Sequence, residues 1–348
     1  MAATVLVVDA DPSNCANWEA LLLGQGYNVI ATRSGEAALA LCPNIQPDLV
    51  LLNDLLPDTP GLEVCRRLKA DLRNRLMPVV LVTATDNASF SSRAMEAGAG
   101  DFWGHPTTPG EALSRIQSLL QLKTYIDEQA ESVIFSLAHC IEMRTPFNDG
   151  HGRRVSNNAV RFGKSLGLSQ GELDTLRIGG LIHDIGKIGV SDAILSKPGP
   201  LDSDETAIVE QHPLVGEQIC ASLKSFRRVL PLIRNHHERM DGTGYPDGLC
   251  GDQISMTVQV LQIADICDAL TCDRPYRSAL SLPNALIVLY EEAGRGWLEE
   301  SLVSQFAPIA VGAIDSEALL NRGRLRSSEG ARRSRSDFRG YSSYGRRI

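Results

Sequence analysis

The chain has 348 residues, 43% of them hydrophobic and 22% charged, with a formal net charge of −8. That length holds two domains with packed cores, and the composition is that of an ordinary globular protein. The acidic balance argues against a duplex DNA binder, and no apolar run reaches the ~18 residues that span a bilayer.

Residues 1–122 alternate between strand and helix signals. Thr4–Val8 is an apolar run that ends at Asp9 and turns at Asp11-Pro12. Residues 14–24 carry apolar positions at helical spacing and stop at Gly24 and Gly26. Leu49–Leu52 and Val79–Val82 are continuous apolar runs of strand length, as a parallel sheet buried on both faces requires. Helical patterns at Glu36–Leu41, Leu62–Lys69 and Ser91–Ala97 separate them. This order predicts a doubly wound α/β domain.

From 111 to 145 the pattern is helical, and neither Gly nor Pro interrupts it between Glu111 and Pro146. It reads either as one long helix, of the kind that links domains and pairs with a copy of itself, or as two helices broken near 127–131. Residues 150–306 read as all-helical, with Gly/Pro-rich loops at 197–200 and 241–251. The last segment, 322–348, has nine arginines against Glu329 and Asp337. That surplus of seven leaves −15 on the rest of the chain. The segment is poor in apolar residues and is expected to be a disordered, solvated tail.

No basic segment followed by an apolar stretch opens the chain, so no secretion signal is read. The eight cysteines (15, 42, 65, 140, 220, 250, 267 and 272) contain no C-x-x-C pair. They suit free thiols in a reducing cytoplasm.

The chemistry concentrates in the helical half. His183-Asp184, His212 and His236-His237 crowd into one stretch, with His151 upstream and Asp265 downstream. Five imidazoles and two carboxylates suffice for two metal ions, and without thiolate they suit Fe, Mn, Zn or Ni. Asp184 can bridge through its two oxygens, whereas each His offers one nitrogen to one ion. Asp265 lies in an apolar helical run and needs a partner, which a metal supplies. Lys187, four residues after His183 and on its helical face, puts an ammonium beside the ions. A single histidine near an apolar face is commonly a hydrogen-bonded core residue. The signal is that all seven groups fall in one helical domain.

These residues carry a resemblance. Residues ~135–310 are similar to the HD-GYP subfamily of HD-domain metal-dependent phosphohydrolases. The matching stretches are His183-Asp184-Ile185-Gly186-Lys187, Glu210-Gln211-His212-Pro213, His236-His237-Glu238-Arg239, Asp241-Gly242-Thr243-Gly244-Tyr245-Pro246, Ile263–Leu270 and Arg274-Pro275-Tyr276-Arg277. The resemblance implies hydrolysis of cyclic di-GMP to pGpG or GMP. It implies two divalent ions, iron or manganese before nickel or zinc, held by His151, His183, Asp184, His212, His236, His237 and Asp265, with Asp184 bridging. Lys187, Tyr245, Arg274 and Arg277 match positions that hold the dinucleotide, and Asp184 and Lys187 would serve catalysis. Some relatives add a third metal through a Glu four residues before the first ligand His; Phe147 stands there and cannot coordinate. A homodimer and a diguanylate cyclase or sensor-protein partner are further implications.

Residues 1–122 resemble a response-regulator receiver domain, but the pocket departs from the pattern. Asn53 stands where the phospho-accepting Asp is required, Asp9-Ala10-Asp11 replaces two adjacent acids, and His105 replaces a Lys before Pro106, while Thr83 matches. An amide is a poor nucleophile towards phosphorus, so a pseudo-receiver is expected, with Asp54 reachable only through a register shift. The expected division is a receiver-like domain at 1–122, a linker helix at 123–145, an all-α HD-type bundle at 146–320 and a tail at 321–348. The rival readings are an HD phosphohydrolase of another nucleotide and a cyclic di-GMP receptor with little turnover.

Overall fold

The computed structural model describes residues 2–83, 88–104, 108–144, 150–273 and 278–321. His105, Phe147, Arg274, Arg277 and the arginine-rich tail lie outside the described residues. Contacts divide the chain into two units, one of Met1–Ser132 with Ala221–Ser225, the other of Val133–Cys220 with Phe226–Ile348.

The first unit is a parallel sheet flanked by helices. Its strands are β1 (Thr4–Val8), β2 (Asn28–Thr32), β3 (Leu49–Asn53), β4 (Val79–Thr83) and β5 (Asp101–Gly104). Among the described residues the strand order is β2-β1-β3-β4-β5, all pairs parallel. The helices are α1 (Pro12–Leu23), α2 (Gly35–Ile45), α3 (Gly61–Ala70), α4 (Ala88–Glu96) and α5 (Pro109–Met143). Strand side chains alternate between faces, which sorts the apolar runs into two cores. Leu6, Val8, Val50, Leu52, Val79 and Leu81 pack against α2, α3 and α4. Val5, Val7, Leu49, Leu51, Val80 and Val82 pack against Cys15 and Leu22 of α1 and Ala112 and Ile116 of α5. The long helix is continuous, without a break at 127–131, and the division between the units falls within it.

The second unit is helical: α6 (His151–Ser165), α7 (Gln170–Ile182), α8 (Asp192–Leu195), α9 (Ser203–Val209), α10 (His212–Cys220), α11 (Leu230–Asn235), α12 (Met256–Thr271), α13 (Leu282–Gly294) and α14 (Glu300–Asn321). A 3₁₀ turn, Ile185–Gly189, follows α7. A capping box starts α7: Ser169 Oγ accepts from Glu172 N–H, and Glu172 accepts from Ser169 N–H at 2.8 Å. The core joins Val155, Ala159 and Phe162 of α6, Leu176 of α7, Val258, Leu261 and Ile263 of α12, and Val303 and Phe306 of α14. Burying each such Leu, Ile, Val or Phe side chain contributes ~1.5–3 kcal/mol. Helices α6 and α7 approach closely because Gly180 has no side chain; a Cβ there would lie 2.4 Å from Ser156 Cα. This approach brings His151 at the head of α6 to His183 at the foot of α7, with ring centroids 5.5 Å apart.

Candidate metal centre

The structure gathers all seven predicted ligands into two adjoining groups. Asp184, His212, His236 and His237 form one, and His151, His183 and Asp265 the other; within each group the candidate ligand atoms lie within 4.8 Å of one another. Five different helices or their ends supply them, which is why no local motif contains the site. The residues do not all sit as the sequence suggests. Helix α7 stops at Ile182, His183 is its C-cap, and Asp184 is outside the helix at φ −91° and ψ 6°. That turn, rather than divergence around a helix, aims both side chains at one space. Lys187 consequently pairs with Asp184, Nζ to Oδ2 at 2.7 Å, instead of sharing a helical face with His183. His212 begins α10 and is buried, at 1% exposure.

Three of the imidazoles are oriented by their other nitrogen against a backbone carbonyl. His183 Nδ1 faces Gly180 O at 3.1 Å, His212 Nδ1 faces Val209 O at 2.7 Å, and His236 Nδ1 faces Ile233 O at 2.8 Å. A carbonyl can only accept, so each Nδ1 carries the proton and each Nε2 presents a lone pair. His212 Nε2 and His236 Nε2 are 3.2 Å apart. Two lone pairs at that separation repel unless a cation lies against both. His183 Nε2, His237 Nε2 and Asp184 Oδ1 are buried without hydrogen-bond partners, as atoms reserved for a metal are. The donor set therefore fits divalent ions that take imidazole and carboxylate.

Electrostatics favour the same assignment. Burial pushes the His183 imidazole down to about 4, against the pull of Asp184 and Asp265. Burial likewise lowers His212 and, with the neighbouring His236 and His212, His237. Burial raises the Asp184 carboxyl, but Lys187 and His183 outweigh it and hold it well below the usual carboxylate range. Asp265 is also held low, chiefly through His151. His151 is the exception: burial lowers it, but hydrogen bonds to Asp265 and Asp268 raise it to about 9. Its Nε2 lies 3.2 Å from Asp265 Oδ1, so that proton occupies the place between two ligand atoms where a cation would displace it.

Several supporting residues escape the sequence reading. Asp268, buried at 3%, accepts from His151 Nδ1 at 2.7 Å and from Arg154 Nε at 2.7 Å. It orients the ring by the carboxylate–histidine pairing found around metal ligands. Its i,i+3 spacing from Asp265 on α12 was the available signal. Glu238, 2% exposed, accepts from Asp247 N–H at 2.7 Å and Leu249 N–H at 3.0 Å, which fixes the loop carrying Tyr245. Tyr245 stacks on His237 at 4.8 Å and 24°, and its hydroxyl is buried without a partner.

The receiver-like pocket is satisfied internally. Asp9 Oδ2 accepts from Asn53 Nδ2 at 2.9 Å and from Asn14 Nδ2 at 3.2 Å, and Asp9 Oδ1 accepts from Asp11 N–H at 2.9 Å. Asp11 caps α1 through Ser13 N–H at 2.8 Å. Thr83, at the end of β4, is buried. Asp54 faces the start of α3, where burial raises its carboxyl above the usual range despite the Leu62 N–H.

Comparison with known proteins agrees with both halves. The response regulator receiver domain family matches residues 5–117, and the HD domain family matches residues 136–302. The fold and the His/Asp clusters thus define a receiver-linked HD-domain protein. A similar protein is the cyclic di-GMP phosphodiesterase response regulator RpfG of Xanthomonas campestris, 34% identical over 281 residues, 74% of each chain. A probable cyclic di-GMP phosphodiesterase of Vibrio cholerae is 30% identical over 348 residues, covering 89% of this chain and 77% of that one. The same organism's 3'3'-cGAMP-specific phosphodiesterase 3 is 39% identical over 165 residues, 47% of this chain and 36% of its own. With these motifs and this architecture, the chain belongs to the HD-GYP family.

Proposed function

We propose that the protein hydrolyses cyclic di-GMP at a centre of two divalent ions held by His151, His183, Asp184, His212, His236, His237 and Asp265. The observation that carries this reading is the pair of facing, unprotonated Nε2 atoms of His212 and His236 at 3.2 Å. When bound, such ions supply an acidified water and positive charge for phosphate oxygens. The chain's own groups do the rest. Asp184 presents Oδ1 towards His212 and His236 and Oδ2 towards His183 and Lys187, which suits a bridge. Lys187, with its ammonium pinned on Asp184, offers further N–H bonds to a non-bridging phosphate oxygen and to charge developing on a leaving oxygen. Tyr245 spends one ring face on His237 and keeps its phenolic proton for a substrate acceptor. Arg274 and Arg277 would grip a second phosphate.

Substrate choice is tested with a panel. Manganese-loaded protein, purified anaerobically, is expected to convert cyclic di-GMP to pGpG or GMP and to leave mononucleotides intact by chromatography. Preferred turnover of 3'3'-cGAMP would move the assignment to the hybrid dinucleotide. Tight binding of cyclic di-GMP without product would make the protein a receptor.

The receiver-like half is proposed to regulate without phosphoryl transfer. The Asn53 amide already holds the Asp9 carboxylate that a magnesium ion would need, and an amide at position 53 offers phosphorus no nucleophile. Incubation with a small phosphodonor and Mg²⁺ is expected to leave the chain at its unmodified mass. A stable aspartyl-phosphate at Asp54 would reverse this view.

A further inference from the structure

Two of the site's ligand-bearing segments, α6 and the 3₁₀ turn after Asp184, have ends that take hydrogen bonds from elsewhere in the unit. The N-cap of α6 is Gly150, which has no side chain to satisfy the first N–H groups beside His151. In the 3₁₀ turn that follows Asp184, Lys187 O accepts from Val190 N–H at 3.0 Å, and this carbonyl and that of Val190 also accept bonds from outside the turn. Both ends are held from the end of α5, by Glu142 in its last turn and by Arg144, the residue after Met143. Glu142 Oε1 accepts from Gly152 N–H at 2.6 Å, the residue after His151. An ionised carboxylate at a helix N-terminus is stabilising, and here it comes from a different helix. Two residues on, Arg144 donates from Nη1 to Lys187 O at 3.2 Å and from Nη2 to Val190 O at 2.7 Å, while Nε reaches Asp192 at 2.8 Å. Ala138 and Ile141, buried one turn earlier, set the helix against this side of the bundle. Glu142 shares a cavity of ≈ 20 Å³ with His183, Asp184 and Lys187.

We infer that the end of α5 is a clamp on the metal centre. Glu142 and Arg144 are positioning residues, one fixing His151 and the other fixing Asp184 with Lys187. The inference rests on the metal-centre reading and adds its control element. One ligand of each group, His151 and Asp184, adjoins a segment held by this end of α5, so a rotation or shift of α5 changes the spacing of those two. Helix α5 starts at Pro109, in the receiver-like half of the sequence. The clamp thus gives that half a route to the ligands that needs no phosphoryl group.

The test uses the full chain, stripped with chelator and reloaded with Mn²⁺. Manganese stoichiometry, its release rate into excess chelator, and the helical content of the stripped protein are read for Glu142→Leu, Glu142→Gln, Arg144→Met and Arg144→Lys. Loss of groups that orient metal ligands costs 10–100-fold in affinity, so Glu142→Leu and Arg144→Met are expected to release Mn²⁺ about tenfold faster with helical content unchanged. Glu142→Gln, which keeps an acceptor for Gly152 N–H, is expected to stay near wild type, and Arg144→Lys to fall between. If Glu142→Leu fails to fold, Arg144→Met, on a partly exposed side chain, decides alone. Wild-type release rates in the folded apolar variants overturn the clamp and leave the centre standing. An unmodified chain that takes up no Mn²⁺ overturns the centre and the clamp together.

Discussion

Asp184→Ala is expected to lower hydrolysis about 10³-fold or more, equivalent to ~4 kcal/mol of lost transition-state stabilisation. Among the described residues, Asp184 is the candidate ligand whose carboxylate touches both groups of imidazoles. Its Oδ1 is 3.4 Å from His212 Nε2 and 3.7 Å from His236 Nε2. Its Oδ2 is 3.5 Å from His183 Nε2 and 4.0 Å from His151 Nε2. Alanine therefore removes a negative charge shared between the two positions and frees the Lys187 ammonium from its 2.7 Å contact. Metal analysis of the variant beside the parent is expected to show loss of bound ions as well as turnover. Asp184→Asn, which keeps shape but not charge, is expected to retain some metal and to remain severely impaired. Full activity with full metal content in Asp184→Ala would rule out a bridging carboxylate.

The ligands were legible because their residue types are few and their chemistry is specific. Five imidazoles and two acids in one helical stretch leave little else to propose. The central strands β1, β3 and β4 were legible for a related reason: burial on both faces demands unbroken apolar runs. Strand β2 lies at the sheet edge with its residues only partly buried, and β5 has four residues with Asp101 at its start. Neither carries such a run, so the apolar pattern does not mark them. The stop at Ile182 escaped because nothing in His183-Asp184-Ile185-Gly186 breaks helical periodicity; packing of the next turn onto α10 imposes it. Asp268, Glu238 and Glu142 escaped because a carboxylate's partner is set by tertiary placement. A backbone N–H nine or ten residues away, as for Glu238 and Glu142, leaves no sequence pattern.

That packing onto α10 makes Gly186→Ala the second severe substitution. A Cβ on Gly186 would lie 1.8 Å from His212 O and 2.6 Å from Gly216 N. Both are backbone atoms of α10, so no side-chain rotation relieves the clash. Either the 3₁₀ turn or α10 must move, and each carries candidate ligands or their partners: Lys187 and the adjoining Asp184 on one, His212 on the other. Overpacking of this kind costs 1–3 kcal/mol and occasionally more. We expect about 3 kcal/mol or more, read as a lowered denaturant midpoint, together with loss of Mn²⁺ binding at temperatures where the variant remains folded. Gly189→Ala is the matched control three residues on. Its Cβ would meet only the Val215 methyl carbons at 3.9 and 4.0 Å, and its φ is not in the left-handed region. With no clash and a smaller unfolded-state entropy, it is expected to be neutral or to stabilise by roughly 0.4–1 kcal/mol. Equal behaviour of the two variants would mean that the turn does not lie backbone-to-backbone on α10, and that some other contact holds Asp184 and His212 together.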